Sequence, residues 1–185
     1  MKNVEAIKSE EQLASMQAYL KARSHRDYCL LLLGINTGIR IYDLLHLRVD
    51  EFLNEDHEIN EFLYYSTYKS PPIYLNERVR DAVVACISHG SLRPEDYLFK
   101  SKKTSEPITR QQAYRIINDS AKQAGITEAI GTHTLRKTFG YHAYKKGIAI
   151  SLIQKRLQQS SPSETKQYIG IMNDSSIEIR LDVNL

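Results

Sequence analysis

Cysteine is scarce in this sequence. Only Cys29 and Cys86 occur, each inside an apolar helical pattern, which argues against a disulfide-stapled secreted scaffold and for two reduced, buried thiols in a cytoplasmic protein. Long hydrophobic runs are also lacking. The longest is Cys29 to Leu33, far too short to cross a bilayer, and no apolar run precedes Leu30 that would read as a signal peptide, so no membrane partner is expected. Low-complexity segments and internal repeats are absent too. What remains is 185 residues with 42% hydrophobic and 25% charged side chains, a balance that places the chain among globular proteins rather than disordered ones. That length fits one domain, or a domain with an extension.

The net charge is only +3, but it is unevenly spread. Between Lys100 and Arg156 twelve Lys and Arg face three acids (Glu106, Asp119 and Glu128), so this segment carries +9 and the rest −6. A basic half is the electrostatic footprint of a nucleic-acid binder, although a solvated helix surface produces the same count.

Helix signals dominate the chain. Ser9-Glu10-Glu11-Gln12 reads as a capping box opening a helix, and a second, largely buried helix is expected over Arg26 to Asn36, ending at Thr37-Gly38 where glycine supplies a positive φ. Arg40 follows at the mouth of that turn, and Asp43, Leu44, Leu45 and Leu47 read as a short amphipathic helix. From Glu58 to Leu75 the residues become β-branched and aromatic, broken by Pro71-Pro72, which suggests a small antiparallel sheet with an irregular turn around Lys69-Ser70. Asn76 caps the next helix, which ends by Gly90, and a basic loop over Ser101 to Glu106 leads to a capping box at Thr109 and a helix that stops at Gly125. Ser151 is a candidate cap for a short helix. Ser161-Pro162-Ser163-Glu164 is a strong helix start, placing Tyr168 about two turns in.

The organising stretch is Thr132-His133-Thr134-Leu135-Arg136-Lys137-Thr138-Phe139-Gly140. Thr132 is the candidate N-cap, Leu135, Phe139 and Ala143 recur at four-residue steps, and Gly147 closes the helix. His133 and Arg136, three apart, share one face of the first turn, where an imidazole, a guanidinium and outward-pointing N–H groups suit a phosphate.

The order of these pieces resembles the catalytic domain of the tyrosine recombinase (phage integrase) family over nearly the whole chain. The matching runs are Thr37-Gly38-Ile39-Arg40-Ile41-Tyr42-Asp43-Leu44-Leu45 for the first-arginine motif, His133-Thr134-Leu135-Arg136 for H-x-x-R, and Ser160 through Tyr168 for the approach to the nucleophile. The resemblance implies a mainly α fold with a small antiparallel β-sheet. It implies a site-specific recombinase or integrase that cleaves and rejoins DNA through a 3′-phosphotyrosine, with no metal and no nucleotide cofactor, because the phosphotyrosine retains the bond energy. Tyr168 takes the role of nucleophile, Arg40 and Arg136 hold the non-bridging oxygens, and His133 assists proton transfer.

Two positions depart from the family pattern. Its Gly-His before the tyrosine is replaced by Gln158-Gln159, and Gln159 can donate a hydrogen bond but not shuttle a proton. The sheet lysine that acts as general acid falls at Ser66 in this sequence, which makes Lys69 the candidate. Lys102, Lys103, Arg110 and Lys137 are candidate DNA contacts. Residues 1–168 are expected to form the catalytic domain and 169–185 a tail exchanged with a neighbouring protomer in a dimer to tetramer on double-stranded DNA. The family's separate N-terminal core-binding domain has no room here, as in a catalytic-domain fragment or a short inversion-type recombinase. A catalytically impaired relative that occupies or regulates a recombination site is the alternative function, and a type IB topoisomerase is disfavoured by the compact size and the Ser-Ser-Pro-Ser run.

Overall fold

The computed structural model describes residues 4–64, 71–131 and 133–171. Among these residues eight α-helices run in the order α1 (Glu10–Lys21), α2 (His25–Thr37), α3 (Ile41–Leu45), α4 (Glu77–Gly90), α5 (Arg110–Gln123), α6 (Thr134–Lys145), α7 (Ile150–Leu157) and α8 (Pro162–Ile169). Two short strands, β1 (Phe62–Leu63) and β2 (Ile73–Tyr74), pair antiparallel between α3 and α4, with Phe62 opposite Tyr74 and Leu63 opposite Ile73. The mainly α architecture with a small antiparallel sheet is the one the sequence leads one to expect.

Most helix ends are decided locally. Ser9, Ser24, Asn76, Thr109 and Ser161 each cap with a side-chain oxygen accepting a backbone N–H, and Thr109 with Gln112 completes a reciprocal capping box. Two expected caps differ. Helix α6 begins one residue late, with His133 at the N-cap, because the buried Thr134 hydroxyl turns back to accept the Gly131 N–H at 3.0 Å; Thr132 lies outside the described residues. Helix α7 starts behind Ala149 without a side-chain cap, leaving Ser151 exposed in its first turn. Among the described residues the sheet consists of β1 and β2, and residues 65–70, where the irregular turn around Lys69-Ser70 is expected, lie outside the described residues.

Helix α2 is the central pillar. Leu30 to Leu33 are all buried, and α2 packs against α1, α4 and α6. Cys29 and Cys86 are both free and buried, and the Cys86 thiol donates to Leu98 O at 3.5 Å. A separate apolar cluster joins Ala143 of α6, Ile153 and Leu157 of α7, Ile169 of α8 and Ile171. Two residues at the start of the expected tail thus lie in the chain's own core, and 172–185 lie outside the described residues.

Glycines govern how close α6 comes to its neighbours. A Cβ built on Gly34 would stand 2.4 Å from Leu135 Cδ1, one on Gly38 2.5 Å from Phe139 Cδ1, and one on Gly140 2.5 Å from Ile169 Cγ2. Gly38 also has φ 68°, the left-handed conformation that ends α2. Gly38→Ala is expected to lose about 2 kcal/mol or more, from the left-handed backbone and the Phe139 contact together. Gly140→Val is expected to cost about 1–3 kcal/mol by forcing α8 away from α6. Urea unfolding of both variants checks this, and an unchanged midpoint would show that the helices are not seated so tightly.

Candidate active site

Three separate chain segments converge where α2, α6 and α8 meet. Arg40 stands at the N-cap of α3, in extended backbone (φ −65°, ψ 141°), with its side chain exposed. The turn that presents it, Thr37-Gly38-Ile39, is braced internally, since Thr37 Oγ1 donates to Leu33 O at 2.6 Å and Gly38 lies against the Phe139 ring. Arg40 is therefore anchored to the helix that carries the H-x-x-R motif.

The start of α6 is unusual for its buried charge. Leu135 faces the core, as its periodicity requires, but Arg136 and Lys137 are also only 8% and 9% exposed. Arg136 Nη2 donates to the backbone carbonyl of Leu157 at the end of α7, which helps to orient its guanidinium. The Lys137 ammonium stands over the Tyr168 ring, 5.2 Å from its centroid. His133 is exposed at the helix entrance.

Between α7 and α8 the chain turns sharply. Gln158 takes a left-handed conformation (φ 52°) as the C-cap of α7. Gln159 is pinned by its backbone, its N–H donating to Gln154 O at 3.1 Å and its carbonyl accepting from Gln154 Nε2 at 3.2 Å. Its side-chain Oε1 is enclosed with no hydrogen-bond partner among the described residues. Ser161 caps α8, and Glu164 reaches back to accept from the Ser160 N–H, which fixes the helix start. Seven residues further on, Tyr168 is half-buried.

These positions set the proton chemistry. Burial pushes the Tyr168 phenol above its ordinary value, while Arg136 and Arg40 pull in the opposite direction. The phenol is thus protonated at neutral pH, and the cations offset part of the cost of ionising it. Partial burial pushes His133 below its ordinary value, and Arg110, Arg136 and Lys137 add to that shift. The imidazole is thereby favoured in its neutral form, able to accept a proton. No group of three or more side chains able to hold a metal occurs among the described residues.

Of the residues singled out in the sequence, Arg40 and Arg136 act on the Tyr168 phenol, Arg136 also acts on His133, and Gln159 lies in the turn leading to α8. Lys69 and Ser66 fall outside the described residues. Lys102 and Lys103 are exposed on the loop before α5, and Arg110 begins that helix close enough to influence His133. Lys137 lies buried at the tyrosine rather than on an open surface. Sequence reasoning missed Arg156, half-buried on α7, which donates to Pro71 O at 3.3 Å and Pro72 O at 3.0 Å and so ties the sheet to the site. No local pattern distinguished it from its neighbour Lys155.

A cleft of about 710 Å³ opens beside His133, lined by Arg110, Gln111, Tyr114 and Asn118 on one face of α5 and by Gly131. Removing a cation from this cleft favours protonation of the imidazole, so Arg110→Ala is expected to move the His133 titration to higher pH. An NMR titration of the His133 ring, assigned by loss of its signal in His133→Gln, checks the direction; a fall or no change would contradict this electrostatic account.

Comparison with known proteins places the arrangement. The phage integrase family model matches residues 7–173. The chain is 40% identical over 176 residues to the probable integrase/recombinase YoeC of Bacillus subtilis, covering 94% of this chain and 93% of that protein. It is 32% identical over 169 residues to the type 1 fimbriae regulatory protein FimE of Escherichia coli, covering 88% and 83%. Among solved structures the XerA recombinase superposes with a TM-score of 0.76 at 22% identity, over 94% of this chain and 61% of that one. A lambda integrase dimer bound to a COC′ core site superposes with a TM-score of 0.70 at 15% identity, over 98% and 65%. The chain thus spans less than two thirds of either solved recombinase. With a family match over most of its length and the fold of a recombinase catalytic domain, this chain belongs to the phage integrase family, the tyrosine recombinases that cleave and rejoin DNA.

Proposed function

We propose that this chain is a site-specific recombinase that breaks and rejoins duplex DNA with Tyr168 as nucleophile, Arg40 and Arg136 as phosphate clamps and His133 as proton acceptor. The observation that carries this reading is the half-buried Tyr168 phenol under the influence of Arg40 and Arg136, residues 96 positions apart in sequence. In the cleavage step Tyr168 Oη bonds to phosphorus while its proton passes to the neutral imidazole of His133. The P–O5′ bond breaks with its electron pair moving to the 5′-oxygen, which takes a proton from a general acid, the role assigned from sequence to Lys69. Charge on the non-bridging oxygens is met by the two guanidiniums, each a planar set of N–H donors. The Gln159 amide is a further hydrogen-bond donor to the phosphate.

Duplex DNA follows the basic side of the molecule. Lys102 and Lys103 extend from the loop before α5, and Arg110 leads the polar face of that helix toward His133. Such contacts make affinity fall steeply with salt. Recombination requires a dimer or tetramer on DNA, acting in the cytoplasm, and the residues after Ile171 provide the contact between protomers. Among the described residues no helix is long and apolar enough to cross a membrane.

The decisive experiment incubates the protein with nicked suicide duplexes carrying candidate sites from the flanking genome and looks for a denaturant-resistant adduct. The adduct is expected with the natural chain and absent with Tyr168→Phe, and Arg40→Ala or Arg136→Ala is expected to slow its formation by about 10²–10³-fold. Salt-sensitive binding to the same DNA without any adduct would instead identify a catalytically silent occupant of the site. Truncation after Ile171 retains the buried Ile169 and Ile171, so it is expected to leave the fold intact while weakening assembly on DNA in a gel-shift titration; unaltered assembly would rule out the tail as the contact.

A further inference from the structure

Lys137 is a cation with an unexpected address. It directly follows the H-x-x-R arginine and, as one of twelve basic residues in the basic half, it reads as a DNA-surface lysine. The fold encloses it instead, leaving it 9% exposed, with its ammonium 5.2 Å from the centre of the Tyr168 ring. Its charge also reaches His133, where it is one of three cations acting on the imidazole. Lys137 thus faces the ring of the proposed nucleophile and also acts on the imidazole. A long, rotamer-rich side chain loses substantial entropy when immobilised and desolvated, so burial at this point needs a compensating interaction. The electron-rich face of the tyrosine ring supplies one, and it becomes much stronger once the phenol carries negative charge.

We propose that Lys137 is an electrostatic positioning residue for the nucleophile, holding the Tyr168 ring in place and stabilising the phenolate as Oη attacks phosphorus and again as it departs during rejoining. This assignment rests on Tyr168 being the nucleophile. No proton is transferred to or from Lys137: the phenol proton goes to His133, and the leaving 5′-oxygen is served by a separate acid. The cations acting on the Tyr168 phenol are Arg136 from α6 and Arg40 from the turn before α3, while Lys137 from α6 faces the ring, and His133 and Arg110 are grouped at the entrance to α6. Lys137 is the one whose charge faces the ring itself. An opposite charge at this range typically moves an ionisation by about one to three pH units, so its loss is expected to slow cleavage at neutral pH by about 10- to 100-fold and to be partly recovered in alkali.

The test measures single-turnover adduct formation on suicide duplexes at saturating DNA, as a function of pH, for the natural chain and for Lys137→Met, Lys137→Gln and Lys137→Arg. Adduct formation that is lost in Tyr168→Phe first establishes the nucleophile, so failure of that reading is seen separately. Lys137→Met fills the same space without charge and Lys137→Arg keeps the charge. The neutral variants are expected to show the 10- to 100-fold loss with the rising limb of the pH profile displaced to higher pH, and the arginine variant to stay within a few-fold of the natural chain with its profile unmoved. Melting curves establish folding, and should both neutral variants unfold, the arginine variant's profile decides alone, a displaced limb counting against the proposal. A second substrate replaces the bridging 5′-oxygen with sulfur, a leaving group that needs no protonation. The loss in Lys137→Met is expected to persist on that substrate. If sulfur erases it, Lys137 is the general acid; if the loss vanishes at saturating DNA, Lys137 is only a DNA contact. Either result overturns the proposal.

Discussion

Close seating of α6 between α2 and α8 is the constraint on which the site depends. Helix axes approach this closely only where one surface lacks a side chain, and Gly34, Gly38 and Gly140 supply those places against Leu135, Phe139 and Ile169. The contacts alternate with the chemistry along α6, so that Arg136 and Lys137 lie between Leu135 and Phe139, and Tyr168 immediately precedes Ile169. A displacement of one helix by the width of a methyl group would therefore carry a catalytic side chain with it. Positional accuracy in such a site is set by packing, and hydrogen bonds refine it.

The cost of this arrangement is electrostatic. Arg40, Arg136, Lys137 and Arg110 all act on the same small volume, and like charges held together destabilise the free protein. Backbone carbonyls and an aromatic face partly compensate, as with Leu157 O for Arg136 and the Tyr168 ring for Lys137. Burial, with Arg110, Arg136 and Lys137, holds the His133 imidazole below its ordinary value, and Arg136 and Arg40 offset part of the effect of burial on the Tyr168 phenol.

Local features were the legible part of the fold. Caps at Ser9, Asn76, Thr109 and Ser161, and the left-handed exit at Gly38, depend on residues within a few positions of one another, so their patterns survive as written. Thr132 and Ser151 misled because the competition there is tertiary. Thr134 is drawn back toward Gly131 in a buried loop, and α7 is seated by Ile153 and Leu157 in the core it shares with α6 and α8.

By itself, the sequence determined the helix inventory, the basic half, and the motifs bearing Arg40, His133, Arg136 and Tyr168, because each rests on residue type and short-range spacing. Only the tertiary structure decided which neighbours those groups have. Lys137 and Tyr168 are 31 positions apart, and nothing in that separation states that a lysine in a basic stretch is enclosed against an aromatic ring. Burial is a property of all the elements packed around a point, and here the packing of α8 onto Gly140 brings the tyrosine over the ammonium and turns a surface charge into part of the site.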